Sequence, residues 1–322
     1  MSHKFVARLV QSVVVLLATG LVAFAIFSLA PDPVDNLAGE YATIEDRAAL
    51  RATLGYDRPF IVQYGEYIIK FVQGDLGKSL RTNELVADLI AERAPATLEL
   101  VFVSTVITLG LGVWLGIFTG VNRRSKRTQL ILSTSLLGVS IPTFLMGLLG
   151  IYYFSVQFGW LPASGRKVVE TSLWDSSLIS LDGWRSIIMP ALTLSLFNVG
   201  LFIRLVRADV LEIRTMDYIK FARARGFSEQ RINHHHVLPN AVMPVITVAA
   251  LNIGVMIAFS LITEAVFQWP GMGLMFLQAI GFSDFPIMSA YFFLVATIFV
   301  VLNLLADTLL SIVDPRLRRG ES

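Results

Sequence analysis

Few residues in this chain could do chemistry, and their spacing excludes most of it. Gly74-Asp75-Leu76-Gly77-Lys78-Ser79 has the look of a phosphate loop. A loop that cradles phosphate on its backbone amides needs another glycine five residues before the Gly-Lys pair, and that position is Val72. His234-His235-His236 could be taken for metal ligands. Helical residues that share a metal sit three or four apart, whereas adjacent side chains diverge. The triplet reads better as a partly exposed polar turn beside the membrane surface. No serine lies in a Gly-x-Ser-x-Gly elbow, and there is no cysteine to act as a thiolate or to ligate zinc. The residues point to no catalytic group, metal, cofactor or nucleic acid.

The chain's composition explains why chemistry is scarce. Of 322 residues, 55% are apolar and 16% charged, with 26 Lys and Arg against 24 Asp and Glu. Mean hydropathy is +0.67. A soluble globular chain carries about 25% charged residues, so a water-soluble enzyme is excluded. Charge-free runs at Leu9 to Pro31, Leu100 to Asn122, Thr128 to Gly165, Ser186 to Ile203, Ile232 to Thr263, Ala265 to Ser283 and Phe285 to Ala306 approach or exceed the roughly 20 residues that a membrane-crossing helix needs. The first is longer than the apolar core of a cleaved signal, about 7–15 residues, and reads as a retained helix.

The run from Ala265 to Ser283 contains Trp269-Pro270-Gly271-Met272-Gly273, which opposes a straight span. Charge parity agrees. The segments 1–8, 122–129, 204–231 and 314–322 hold 16 of the 26 basic residues, and only an even number of spans puts all four on one side. By the positive-inside rule that side is cytoplasmic. The fold class expected is therefore an all-α polytopic membrane protein with six transmembrane helices. They are placed near 9–30, 98–121, 130–156, 188–208, 242–266 and 288–312, with both termini cytoplasmic. Segment 32–95 becomes a large external loop, long enough to fold a little, with helical spacing of Ala and Leu at Glu45 to Leu54 and Leu85 to Arg93. Phe267 to Ser283 becomes a broken external segment folded partly over the cavity. Trp269, Pro270, Gly271 and Phe276 are then candidate gate or cavity residues, with an interfacial aromatic belt as the plainer reading.

Ionisable residues in or near the spans are sparse: Glu99, Glu264 and Asp307, with Arg204 and Arg207 at the inner end of the fourth helix. All but Asp307 lie close enough to a span end to reach the interface by snorkelling. An ion-driven carrier needs a partnered relay across the midplane, so a secondary carrier is the weaker alternative, beside a membrane scaffold without transport.

The most informative segment is the cytoplasmic one at 209–241. Small Ala222 and Ala224 beside Tyr218, Ile219 and Phe221 suggest a short helix with an apolar docking stripe, flanked by Arg223 and Arg225. Gly226 suits a left-handed helix end, and Pro239 the first turn of the next helix. From these residues alone, a basic helix resting on anionic membrane lipid competes with a docking element.

This segment resembles the EAA loop of ABC-importer permeases, with Glu-Ala-Ala, three residues, Gly, nine residues, Ile, one residue and Leu-Pro. Ala222, Gly226, Leu238 and Pro239 fall at matching positions, while Lys220, Phe221 and His236 depart from the pattern. Ala222-Arg223-Ala224-Arg225-Gly226 is similar to the dipeptide and oligopeptide subgroup. Pro31-Asp32-Pro33, Gly74-Asp75-Leu76-Gly77 with Ser79, Ala94 to Leu100, Phe267 to Gly273 and Asp314-Pro315-Arg316 extend the likeness over almost the whole chain. The resemblance implies a permease subunit of the bacterial inner membrane that imports peptides or similar small solutes and has no catalysis of its own. It also implies a second homologous permease, two cytoplasmic ATPase subunits and an external solute-binding protein. Tyr218, Phe221, Ala222, Arg223, Ala224, Arg225, Gly226, Leu238 and Pro239 would couple it to the ATPases.

Overall fold

The computed structural model describes residues 2–28, 34, 42–55, 57–170 and 175–313. Pro31-Asp32-Pro33 and Asp314-Pro315-Arg316 lie outside these, as does the rest of the basic carboxyl-terminal segment 314–322. Among the described residues there is no β-strand, only isolated bridges pairing Lys78 with Leu85 and Val169 with Ser176.

The helices are α1 (Ser2–Ser28), α2 (Ile44–Leu54), α3 (Phe60–Val72), α4 (Val86–Val121), α5 (Lys126–Ser140), α6 (Thr143–Gly150), α7 (Leu181–Ile213), α8 (Asp217–Ala224), α9 (Glu229–Ile232), α10 (Leu238–Phe267), α11 (Met272–Gly281) and α12 (Phe285–Val313). Wider π-helical turns extend α6 through Ile151–Gln157 and join α9 to α10 through Asn233–Val237.

Four helical stretches are long and apolar enough to cross a membrane: Val86–Val121, Leu181–Ile213, Glu229–Phe267 and Phe285–Ala306. The third helix, expected as one element near 130–156, is broken in the structure. It is two pieces, Lys126–Ser140 and Thr143–Gln157, bent by 104°. Pro142 is the cause: the residue before a proline is pushed out of helical geometry, and Ile141 is extended at φ −94°, ψ 129°. The second helix differs in extent: the helical stretch expected at Leu85 to Arg93 and the span expected at 98–121 are one helix, Val86–Val121, that runs through Pro95.

The chain divides into two compact units, Met1–Pro95 with Pro270–Val300, and Ala96–Trp269 with Val301–Ser322. In the first, Met272, Met275, Phe276 and Ala279 of α11 pack with Val86, Ile90, Met288 and Tyr291. In the second, α4 and α7 meet along a small-residue seam. A Cβ on Gly112, Gly116 or Gly120 would come within 2.6, 2.7 and 2.6 Å of Phe202, Val206 and Val210. Four-residue spacing on both helices lets the ridge of one enter the groove of the other, and glycine permits the close approach that membrane helices use for packing.

Candidate functional site

The segment joining α7 to α10 is built by local rules. After α7 ends, a short turn leads into α8, and Gly226 closes α8 at φ +80°. Gly226 N donates to Arg223 O at 2.9 Å and Phe227 N to Ala222 O at 3.2 Å. This is the left-handed ending for which glycine, lacking Cβ, is suited. Ser228 caps α9, accepting from Arg231 N, and Pro239 falls in the first turn of α10. Proline has no N–H to bond four residues back, and the wide turn at Asn233–Val237 lies just before it. Asn240 Nδ2 donates to His236 O at 2.7 Å.

The expected docking stripe of α8 splits in two. Ile219 and Ala222 are buried with Val206, Val210, Ile213, Ile232, Val237 and Ala241 of the chain's own helices. Tyr218 and Phe221 stay 44% and 61% exposed. At about 100° per residue, positions 218, 221 and 225 share one side of the helix, and 219 and 222 another. Ala222 therefore serves the internal packing of the segment, while Tyr218, Phe221, Ala224 and Arg225 face outward. Arg225 lies over the Phe221 ring at 5.1 Å.

Arg223 turns back to the chain. Its Nε donates to Glu229 Oε1 at 2.6 Å, and Arg214 donates to Glu229 Oε2 at 2.9 Å and to Asn233 Oδ1 at 2.6 Å. One carboxylate thus ties the end of α7, α8 and α9 together. Lys220 pairs with Asp217 at 2.8 Å; the hydrogen bond and the positive charge hold the Asp217 carboxyl below the usual carboxylate range. His234 and His235 are exposed, and among the described residues no group of three or more His, Cys, Asp or Glu is placed to hold a metal.

Glu99 and Glu264 do not snorkel. Glu264 is fully buried and accepts from Thr97 Oγ1 at 2.7 Å and Ser260 Oγ at 3.0 Å. The Glu99 and Arg166 side chains are 5% and 8% exposed and pair at 2.8 Å. Ser176 Oγ and Ser177 N also donate to Glu99, and Arg166 donates to Ser177 Oγ and Asp175 O. Burial of a charge is tolerated only when its partners are complete, and this cluster supplies them. Glu99 lies 67 residues from Arg166 in sequence, and no local spacing announces the pairing.

Trp269 belongs to the same neighbourhood. Its indole is fully buried, Nε1 donates to Ala96 O at 2.8 Å, and Arg166 lies 5.9 Å from the ring centre. Gln268 takes a left-handed conformation that ends α10. Phe276 stacks on Tyr291 with ring centres 4.5 Å apart. Gly271, Leu274, Met275 and Gln278 line a cleft of about 290 Å³ with Arg81, Glu84, Glu92 and Arg93. Pro270 is half-buried at the start of this stretch.

Residues 112–319 match the family described as binding-protein-dependent transport system inner membrane component, and residues 1–101 match its N-terminal component. The dipeptide transport system permease protein DppB of Alkalihalophilus pseudofirmus is 34% identical over 326 residues, covering 97% of this chain and 98% of that one. The di/tripeptide transport system permease protein DppB of Pseudomonas aeruginosa is 35% identical, covering 92% and 93%. A Brucella abortus protein with the provisional name of a peptide transport system permease is 35% identical, covering 99% of both. A chain of the MetNI methionine ABC transporter, solved in inward-facing conformations, shares the fold at TM-score 0.56 and 20% identity, covering 70% of this chain and 96% of that chain. A multi-helical membrane fold, an ordered segment between two long apolar helices and matches that run the length of the chain lead to one conclusion: the chain belongs to the inner membrane components of binding-protein-dependent transport systems.

Proposed function

We propose that the chain is the peptide-translocating permease subunit of an ATP-driven importer, working with a second homologous permease, two cytoplasmic ATPases and an external solute-binding protein. The observation that carries this reading is α8: a short helix whose inner face is locked to the chain's own bundle while Tyr218 and Phe221 stay outward. Such a helix can receive force from a partner and pass it on. Peptide as the solute rests on the relatives named above.

The path for that force is one continuous helical stretch. Glu229–Phe267 is helical over 39 residues, which at 1.5 Å per residue, slightly less in its π turn, is roughly 55–60 Å. It begins beside α8 and ends one residue before the left-handed Gln268 and the buried Trp269. ATPase closure on ATP would move α8, tilt this lever and act on the Trp269-Pro270-Gly271 break, which is the gate candidate. Phe276 would then act as a packing anchor of the segment beyond the break.

The topology belongs to the same reading. It has six spans, with the bent α5–α6 pair as the third and α1 as the first, cytoplasmic termini, and an external segment between α1 and α4. The secondary-carrier alternative is disfavoured because the buried carboxylates Glu99 and Glu264 are occupied by neighbouring donors rather than strung into a relay. Purifying the chain with its co-expressed ATPases and binding protein, then measuring peptide-stimulated ATP hydrolysis in liposomes, tests the proposal. Hydrolysis and uptake that are independent of ATPase subunits or of binding protein would reject it.

A further inference from the structure

On the six-span topology, the segment between α1 and α4 lies outside the membrane. One helix within it does not have the surface of a water-exposed helix. α3 carries three faces: Phe60, Tyr64, Tyr67 and Phe71; then Ile61, Ile69 and Val72; then the polar strip Gln63, Glu66 and Lys70. The aromatic face packs inside its own unit. Phe24 of α1 lies 5.4 Å from Phe60, 5.8 Å from Tyr64 and 5.8 Å from Tyr67. Phe293 of α12 lies 5.2 Å from Tyr67 and 4.7 Å from Phe71. The Tyr64 hydroxyl donates to Leu17 O of α1 at 2.6 Å. The aliphatic face is left open, with Ile61, Ile69 and Val72 exposed by 67%, 59% and 79%.

Those contacts fix a depth. Phe293 sits within the apolar stretch Phe285–Ala306, eight residues from its start and hence roughly 12 Å along it. Leu17 is near the middle of the charge-free run from Leu9 to Pro31. An element held at that level has hydrocarbon against each uncovered face that points away from the water boundary. At 13 residues α3 is about 20 Å long, too short for a hydrocarbon core of about 30 Å. It must enter and leave on one side. Pro59 starts it, and the left-handed Gly74 and Gly77 turn the chain away after it. Its backbone is satisfied within the helix, as hydrocarbon requires. The polar strip is set off to the side, with Glu66 paired to Arg58 and Gln63 Nε2 donating to Arg58 O at 2.7 Å. The adjacent α1 likewise leaves the apolar Val14, Leu17 and Leu21 exposed.

We propose that α3 is a membrane-embedded interfacial helix whose Ile61, Ile69 and Val72 face is covered by lipid acyl chains, with Gln63, Glu66 and Lys70 at the water boundary. This rests on α1 being a membrane span. It makes the segment after α1 a lipid anchor for the first compact unit rather than a free external loop.

The chain has no cysteine, so single spin labels can be placed at Ile61→Cys, Ile69→Cys, Lys70→Cys and, as a control on α1, Val14→Cys. The intact transporter would be reconstituted in phosphatidylethanolamine and phosphatidylglycerol vesicles. Relaxation by oxygen, which concentrates in hydrocarbon, is then compared with relaxation by a water-soluble nickel chelate. The expected result is oxygen dominance at positions 61, 69 and 14, with the ratio reversed at position 70. If position 14 is oxygen-dominated while 69 matches 70 in nickel accessibility, α3 is in water and the proposal alone is overturned. Shielding of 61 and 69 from both reagents would show that a neighbouring subunit covers the face, and would equally overturn it. Nickel dominance at position 14 would remove the span reading of α1, and the proposal with it.

Discussion

Arg223 and Glu229 face each other across the left-handed turn at Gly226, Nε to Oε1 at 2.6 Å. A residue that a helical wheel of α8 leaves free for a partner or a lipid headgroup is thus occupied inside the chain. Arg214 completes the brace from α7. Partly exposed pairs of this kind contribute at most about 1 kcal/mol each, so their main consequence is shape rather than stability. Glu229→Ala is expected to leave insertion and thermal stability close to wild type while peptide-stimulated ATP hydrolysis falls and basal hydrolysis persists. The Arg223→Glu, Glu229→Arg double variant should restore part of the coupling. Unchanged coupling in Glu229→Ala would mean that the brace has no part in force transfer.

The turn itself offers a sharper test. At φ +80°, Gly226→Val introduces a β-branched side chain into left-handed backbone at a cost of about 1–2 kcal/mol. Loss of ATPase association is expected, together with a normal amount of membrane-inserted chain. Phe221→Ala should weaken the same association without altering the fold. Ala222→Trp should instead lower expression and melting temperature, since Ala222 is buried within the chain's own bundle and overpacking costs roughly 1–3 kcal/mol. Co-purification yield of the ATPases and a thermal melt separate the two effects. Equal ATPase recovery with wild type and Phe221→Ala would dismiss the outward face as the docking surface.

Breaking one side of a buried ion pair leaves an uncompensated charge and costs about 3–5 kcal/mol. Arg166→Ala is therefore expected to destabilise the chain strongly through Glu99. Arg166→Met combined with Glu99→Gln should recover much of the loss, since neither side then carries a charge. Thermal stability of the detergent-solubilised protein reads both. A double variant as unstable as Arg166→Ala would show that the cost arises from packing around Trp269 and not from the unpaired carboxylate.

Topology can be read with an impermeant thiol reagent on intact cells, again because the chain is free of cysteine. Thr82→Cys, in an exposed stretch before α4, should label from outside. Ser228→Cys, exposed at the start of α9, should label only after the cells are opened. Labelling of Ser228→Cys in intact cells would place the α8 segment on the wrong side for an ATPase.

The sequence by itself was enough to determine the class of molecule and much of its local punctuation. Apolar run length is a one-dimensional property that bilayer thickness converts into spans. Gly226 and Pro239 act through their own backbone restrictions, so a helix end and a helix start could be read at those positions. The pattern from Ala222 to Pro239, being contiguous, was legible too. Tertiary structure alone decided which side of α8 packs inward, because a short helix that is apolar on two sides carries no label for its partner. It also decided that Glu99 meets Arg166, 67 residues away, a pairing that no local period encodes. The bend at Ile141 needed the structure as well, since Pro142 marks a break but not its 104° angle. α3 was missed for a related reason. Its aromatic and aliphatic faces sum to a merely apolar stretch, shorter than a span, and only the folded chain brings it against Leu17 and Phe293.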